Sequence, residues 1–126
     1  MTFEVGVVAR FDARHHLVGD FGPASQPHAH AYRVEVAVLG GSLREDGTLF
    51  DITRLQAALS AVLVELEGRD LNSVVGLSDL NPTAEVVARY FFERIAPTLA
   101  NDGLDQLRTR VWESDEAWAG YAGDLA

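Results

Sequence analysis

The sequence predicts an α+β domain in which an antiparallel sheet carries two helices on one face. Three patterns predict it: period-two alternation near both ends of the chain, helical spacing of apolar residues in its middle, and turn-forming residues between these segments. The elements follow in the order β-β-α-α-β-β, and such runs of strands and helices are typical of α+β architecture. We predict one domain, covering residues 1–126.

Two strands are predicted in the first third of the chain. Residues 2–13 alternate apolar and polar side chains, and residues 28–39 repeat that pattern. Residues 18–26 between them are rich in glycine and proline, which is typical of a loop. We therefore expect the two strands to be neighbours in the sheet, joined at one end by this loop.

Two helices are predicted in the middle of the chain. Apolar residues follow helical spacing over residues 52–66, with Asp51 or Thr53 as the N-cap. A second helix is predicted to start at Asn81-Pro82, because asparagine is a favourable N-cap and proline fits the first turn. Both helices are amphipathic and should cover one face of the sheet.

Two further strands complete the predicted sheet. They cover residues 106–113 and 117–125, and a short acidic turn at Ser114-Asp115 joins them. Strands connected by so short a turn pair antiparallel. The last two strands therefore form a hairpin.

Composition excludes several classes of protein. The net charge of −9 argues against nucleic-acid binding, which depends on a basic surface. No cysteine is present, which excludes disulfides, thiolate ligands and a cysteine nucleophile. No apolar run approaches the roughly 20 residues of a membrane span, and the N-terminus lacks the basic start of a signal peptide. These features predict a cytoplasmic protein without membrane or nucleic-acid partners.

All four histidines lie within one sixteen-residue stretch, at the facing ends of the first two predicted strands. His28 and His30 share a strand face, and His15 continues the apolar parity of the first strand whereas His16 does not. Three imidazoles so arranged predict a metal site with an open fourth position, the arrangement of catalytic zinc. The spacing alone also suits copper, iron or nickel, and isolated histidine pairs are often surface residues.

Polar residues outside this cluster each allow two interpretations. Glu113, near the end of a predicted strand, is either a solvated carboxylate or an acceptor for a ligand with two parallel N–H donors. Thr83 and Glu85 follow Asn81-Pro82 and by themselves indicate a helix start, where an acidic residue is favourable.

Six short motifs occur in one order along almost the whole chain. Together they resemble the 6-pyruvoyl-tetrahydropterin synthase and 6-carboxy-tetrahydropterin synthase family. Each motif is weak alone, whereas six in register are specific. They are Phe11-x-Ala13-x-His15, His28-x-His30-x-Tyr32, Gly47-x-x-x-Asp51, Leu71-Asn72, Asn81-Pro82-Thr83-x-Glu85 and Val111-x-Glu113.

The resemblance implies the tunnelling fold, in which a four-stranded antiparallel sheet carries two helices on one face. It also implies a homo-oligomeric ring, a trimer or a hexamer, with active sites between subunits. Zinc would be bound by His15, His28 and His30. Glu113 would anchor the amino-pyrimidine edge of a pterin, helped by the region of Thr83 and Glu85.

The chain departs from the family pattern at both proton-transfer positions. Family enzymes carry a catalytic cysteine shortly before the His-x-His pair, where this chain has residues 22–27 without cysteine. The family's relay histidine aligns with residues 66–68, Leu-Glu-Gly, so it is missing too. Another group must take the proton, and the nearby candidates are Asp20, Glu67, Asp70 and His16.

The sequence therefore predicts a zinc-dependent lyase or synthase-like enzyme with altered chemistry, acting on a pterin or a related heterocyclic or carbonyl substrate. Two alternatives stay open. The fold could serve a different metabolite in a specialised biosynthetic route, with zinc as Lewis acid. The protein could instead bind a pterin-like ligand without catalysis.

Overall fold

Six main elements follow one another in the predicted order β-β-α-α-β-β. The computed structural model describes residues 1–125. Short 3₁₀ turns at Gly22–Ser25, Leu71–Ser73 and Ala96–Leu99 lie between or after these elements. The elements are β1 (Phe3–His15), β2 (His28–Gly40), α1 (Ile52–Leu66), α2 (Ala84–Ile95), β3 (Gln106–Trp112) and β4 (Trp118–Asp124).

The four strands form one antiparallel sheet in the order β1-β2-β3-β4. β1 extends two residues beyond the predicted end at residue 13, so that His15 pairs with His28 at the end of the ladder. Phe11 pairs with Tyr32 in the same register. Both helices pack on one face of this sheet, so the predicted α+β tunnelling-fold architecture is confirmed.

The core lies between the helices and one face of the sheet. Alternate residues of β2 from Tyr32 to Val38 are fully buried, because strand side chains alternate between the two faces. Burying each such side chain contributes about 1.5–3 kcal/mol. The helices supply the opposing apolar surface through Leu55, Leu59, Val62, Leu66, Val87, Phe91 and Ile95.

The helix starts agree with the sequence prediction for α1 and correct it for α2. The Asp51 side chain accepts a 2.8 Å hydrogen bond from the Thr53 amide, as an N-cap does. α2 begins at Ala84, and Thr83, rather than Asn81, is its N-cap. The prediction of a helix start at Asn81-Pro82 is wrong because the Asn81 side chain instead binds both backbone groups of Val18, at 2.8 and 3.2 Å.

Asn81-Pro82 therefore connects α2 to the β1–β2 loop.

Within residues 1–125, no helix combines the length and apolar character that crossing a bilayer requires.

Candidate metal centre and adjoining cavity

Three histidines converge where β1 ends and β2 begins. The register sets His15 opposite His28, and His30 lies two residues further along the same face of β2. One nitrogen atom from each ring can be chosen so that all three lie within 4.8 Å of one another. The ring centroids are 4.5 to 5.1 Å apart. The structure thus brings together the three predicted metal ligands.

Backbone carbonyls determine which ring nitrogens face the centre of the cluster. His15 Nδ1 lies 2.8 Å from the Pro82 carbonyl oxygen, and His28 Nδ1 lies 2.8 Å from the Gln26 carbonyl oxygen. A carbonyl can only accept, so each Nδ1 carries the proton and each Nε2 keeps a free lone pair. This is the tautomer and support that metal-binding histidines commonly show.

The cluster leaves two buried ring nitrogens without a partner. Within residues 1–125, neither His15 Nε2 nor His30 Nε2 has a hydrogen-bond partner. Burial lowers the pKa of His30 more than the nearby Glu113 carboxylate raises it, which favours the neutral imidazole. Neutral imidazoles with free, convergent lone pairs match the nitrogen donors that zinc prefers. The residues present therefore fit a zinc ion.

Glu113 adjoins this cluster from the neighbouring strand. Its Oε2 lies 3.7 Å from His30 Nε2, and its side chain is about one-third exposed, with relative accessibility 31%. The Glu113 amide donates a 3.1 Å hydrogen bond to the Ala117 carbonyl oxygen, which holds the backbone of the β3–β4 turn. The carboxylate is thus positioned between the histidines and solvent, as an anchoring role requires.

A cavity of about 320 Å³ opens beside Glu113. All three residues predicted to bind substrate line this cavity: Thr83 and Glu85 at the start of α2, and Glu113. Its volume is at the lower end of the range for small-molecule sites, roughly 300–1,000 Å³. The remaining walls come from the β1–β2 loop, α2 and β4, through Leu17, Phe21, Ala84, Ala117, Trp118 and Ala119.

Two of the four predicted proton-transfer candidates already bind backbone groups. A Glu67 side-chain oxygen accepts a 2.9 Å hydrogen bond from the Asp12 amide. The Asp70 side chain accepts one of 3.0 Å from the Asn72 amide, and so caps a 3₁₀ turn. Gly68, where the family pattern has its relay histidine, has a φ of +71°, a conformation that favours glycine.

The other two candidates lie in the β1–β2 connection. His16 and Asp20 directly flank the cavity-lining residues Leu17 and Phe21, respectively. Asn72 binds both backbone groups of His16 at 3.0 Å, which leaves the His16 ring free of that contact. Within residues 1–125, neither the His16 nor the Asp20 side chain forms a hydrogen bond.

Tyr32 is a residue of this site that sequence reasoning left without a role. It is fully buried, and its ring centroid is 5.2 Å from that of His30 and 6.0 Å from that of His15. Burial, with a smaller contribution from Glu113, raises its pKa well above the ordinary tyrosine value. The sequence signal that could have identified Tyr32 is its position two residues after His30, on the same face of the strand.

Comparisons with known proteins agree with this geometry. The profile of the 6-pyruvoyl tetrahydropterin synthase family matches residues 4–124. A proposed 6-carboxy-5,6,7,8-tetrahydropterin synthase of Pyrococcus horikoshii is 29% identical over 132 aligned positions, covering 86% of this chain and 83% of the relative. Dihydroneopterin monophosphate aldolase of Pyrococcus furiosus is 32% identical over 108 positions, covering 86% and 87%.

A solved structure shows the same fold over nearly the whole chain. The 6-pyruvoyl tetrahydropterin synthase of Caenorhabditis elegans superimposes with a TM-score of 0.82 at 25% identity, covering 98% of this chain and 96% of that one. Together with the family profile, these matches extend from β1 to β4. The chain belongs to the 6-pyruvoyl tetrahydropterin synthase family.

Proposed function

We propose that this protein is a zinc-dependent lyase acting on a pterin or a related heterocycle, with chemistry altered from that of the standard synthase. The observation that carries the proposal is the 3.7 Å approach of Glu113 to His30, which joins a three-histidine cluster to a cavity of ligand size. The relatives are named as pterin synthases and a dihydroneopterin phosphate aldolase, so reduced pterins are the first substrates to test.

The three histidines would hold the zinc ion in this proposal. His15, His28 and His30 supply three neutral nitrogens, which leaves a further coordination position for a substrate. Bound there, zinc would supply Lewis-acid polarisation of a hydroxyl or carbonyl oxygen. The Pro82 and Gln26 carbonyl contacts would keep the His15 and His28 rings oriented.

Glu113 would anchor the heterocycle. Its carboxylate can accept two parallel N–H bonds from an amino-pyrimidine edge, a charge-assisted and therefore strong arrangement. Thr83 and Glu85 line the same cavity and offer further polar contacts. Leu17 and Phe21 supply apolar surface against which a planar ring can pack.

One of the four polar candidates would move the proton. His16 and Asp20 are the stronger two because they flank cavity-lining residues and their side chains are not committed to backbone contacts. Glu67 and Asp70 are weaker because each carboxylate already accepts a backbone N–H. Histidine is the side chain that most often serves as a general base, which favours His16.

The missing cysteine bears on which bond is broken. The chain contains no cysteine, so the family's cysteine base is unavailable to it for elimination of a phosphate group. The similarity to an aldolase favours carbon–carbon cleavage of the pterin side chain as a second candidate reaction. Such cleavage would release an aldehyde fragment and leave a shortened side chain.

The direct test is turnover by zinc-loaded protein, followed by chromatography and mass spectrometry. 7,8-Dihydroneopterin triphosphate and dihydroneopterin monophosphate are the two substrates, with chelator-treated protein as control. Release of triphosphate supports carbon–oxygen cleavage, and an aldehyde fragment supports carbon–carbon cleavage. Tight binding without turnover would favour a non-catalytic binder, and neither binding nor turnover would favour a different metabolite.

We also propose that the protein assembles into a ring, a trimer or a hexamer, with sites completed between subunits. β1 and β4 are the two edge strands. Within residues 1–125 no further strand pairs with their outer edges, and β1 bonds on that side only to residues 67–70, near its end at Asp12 and Arg14. The cavity lies against one of these edges, because Ala117, Trp118 and Ala119 line it. Unpaired edges favour strand addition from another chain. Light scattering coupled to size-exclusion chromatography should give a mass that is a multiple of three chains.

A further inference from the structure

Tyr32 places an unpartnered hydroxyl at the centre of the site. Its side chain is fully buried, and within residues 1–125 its hydroxyl has no hydrogen-bond partner. The ring is held on one side by a stacked contact with Phe11, at a centroid distance of 4.9 Å. A buried hydroxyl without a partner is destabilising, so its retention requires an explanation.

The candidate acceptor for this hydroxyl is the Glu113 carboxylate, whose charge contributes to the raised pKa of Tyr32. The β2–β3 ladder ends at the Arg33–Trp112 pair, and Tyr32 and Glu113 are the next residues of the two chain segments beyond it. The Glu113 carboxylate instead leans toward His30, whose Nε2 is 3.7 Å from Oε2.

Glu113 therefore has two candidate donors, the Tyr32 hydroxyl and the His30 ring in the tautomer that carries its proton on Nε2. If a metal ion occupies the His30 Nε2 lone pair, that nitrogen has no proton to offer a carboxylate. The Tyr32 hydroxyl then remains as the other candidate donor. A carboxylate held by one O–H donor keeps lone pairs on both oxygens for N–H donors of a ligand.

We propose that Tyr32 is a positioning residue, whose hydroxyl donates to the Glu113 carboxylate when His30 binds metal and so orients that carboxylate for the ligand. This inference rests on the proposed function, in which Glu113 anchors the heterocycle. It explains why the hydroxyl is unpartnered beside three histidines with free nitrogens, and it links metal binding to ligand binding.

The test compares Tyr32→Phe with Tyr121→Phe in zinc-loaded and metal-free protein. Tyr121 is a matched control because it loses the same hydroxyl from the same sheet, where it packs on Phe92 at the other end of α2. Zinc-loaded Tyr32→Phe should bind 7,8-dihydroneopterin roughly tenfold more weakly, since hydrogen bonds to charged groups are strong. Metal-free Tyr32→Phe should melt no lower than the wild type, because an unpartnered hydroxyl is lost.

Two results would overturn the inference while leaving the proposed function intact. One is wild-type ligand affinity in Tyr32→Phe, and the other is a clearly lowered melting temperature of the metal-free variant, which would indicate a purely structural hydroxyl. The Tyr121→Phe variant should match the wild type in both measurements.

A crystal structure of the zinc-loaded wild type decides the inference independently of any pterin. A Tyr32 hydroxyl within about 3 Å of a Glu113 oxygen would support it. A carboxylate still directed at His30, or bound to the zinc, would contradict it. Failure of the wild type to bind 7,8-dihydroneopterin would count against the proposed function, and this structure would still judge the role of Tyr32.

Discussion

The proposed metal-binding half of the site and its proposed proton-transfer half are built from different kinds of structure. His15, His28 and His30 belong to two paired strands, and backbone carbonyls fix the rings of the first two. The candidates His16 and Asp20 belong to the connection between those strands, and their side chains form no such bonds within residues 1–125. One half is held by the sheet register, whereas the other depends on a loop.

This difference indicates where the chemistry of a shared fold can change. Shifting a strand by one residue would turn every one of its side chains to the opposite face. The histidines could therefore be repositioned only together with the core residues of the same strands. A surface loop tolerates substitution, and function is often altered there. The chain has the three histidines of the proposed metal site on its strands and no cysteine in its loop, which agrees with that expectation.

The largest expected effect is the loss of zinc when one of the three histidines on β1 and β2 is replaced. Replacing His28 with Ala removes one of the three proposed nitrogen ligands. Loss of a hydrogen bond that merely supports a ligand lowers metal affinity by roughly 10–100-fold, so the loss of a ligand itself should lower zinc affinity by more. Turnover should disappear with the zinc. Metal analysis of His28→Ala beside His16→Ala tests this, and unchanged zinc in His28→Ala would refute the metal assignment.

The next largest effect should come from replacing the proton-transfer candidates in the β1–β2 loop. If His16 or Asp20 is the base, His16→Ala or Asp20→Asn should lower turnover by about 10²–10⁴-fold, because general-base catalysis has that magnitude. Zinc content should stay at the wild-type level. Matched variants Glu67→Gln and Asp70→Asn should retain most turnover, and a steeper loss in either would move the base to that carboxylate.

Glu113→Gln should affect ligand binding and spare the metal. The substitution keeps the side-chain size and removes the charge, so affinity for 7,8-dihydroneopterin should fall roughly 10- to 100-fold. Calorimetry on zinc-loaded protein measures it, with Glu116→Gln in the same turn as the control. Equal losses in both variants would indicate a general charge effect rather than an anchor.

The smallest effect concerns the N-cap of α2. Thr83→Ala removes the 3.2 Å hydrogen bond from the Val86 amide to the threonine hydroxyl. It should lower the free energy of unfolding by about 1 kcal/mol. Thr83→Ser keeps the hydroxyl and should restore most of that stability in urea denaturation, whereas equal stabilities of all three proteins would show that the cap contributes little.

Periodicity predicted the regular elements well and their ends less well. The parity of His15 and the alternation in β1 and β2 depend on neighbouring residues of one strand, so the sequence contains them directly. The start of α2 was mispredicted because Asn81 is an equally good cap and a good partner for the Val18 backbone. Choosing between these partners requires knowing that the β1–β2 loop lies beside α2.

The sequence by itself determined the β-β-α-α-β-β order, the shared face of three histidines and the absence of a cysteine base. Only the tertiary structure decided that Glu113 lies 3.7 Å from His30 and that Thr83 and Glu85 share its cavity. It also left the buried Tyr32 hydroxyl without a hydrogen-bond partner within residues 1–125. Local spacing fixes which face of a strand a side chain occupies, whereas contacts between residues eighty positions apart arise only when strands and helices pack together.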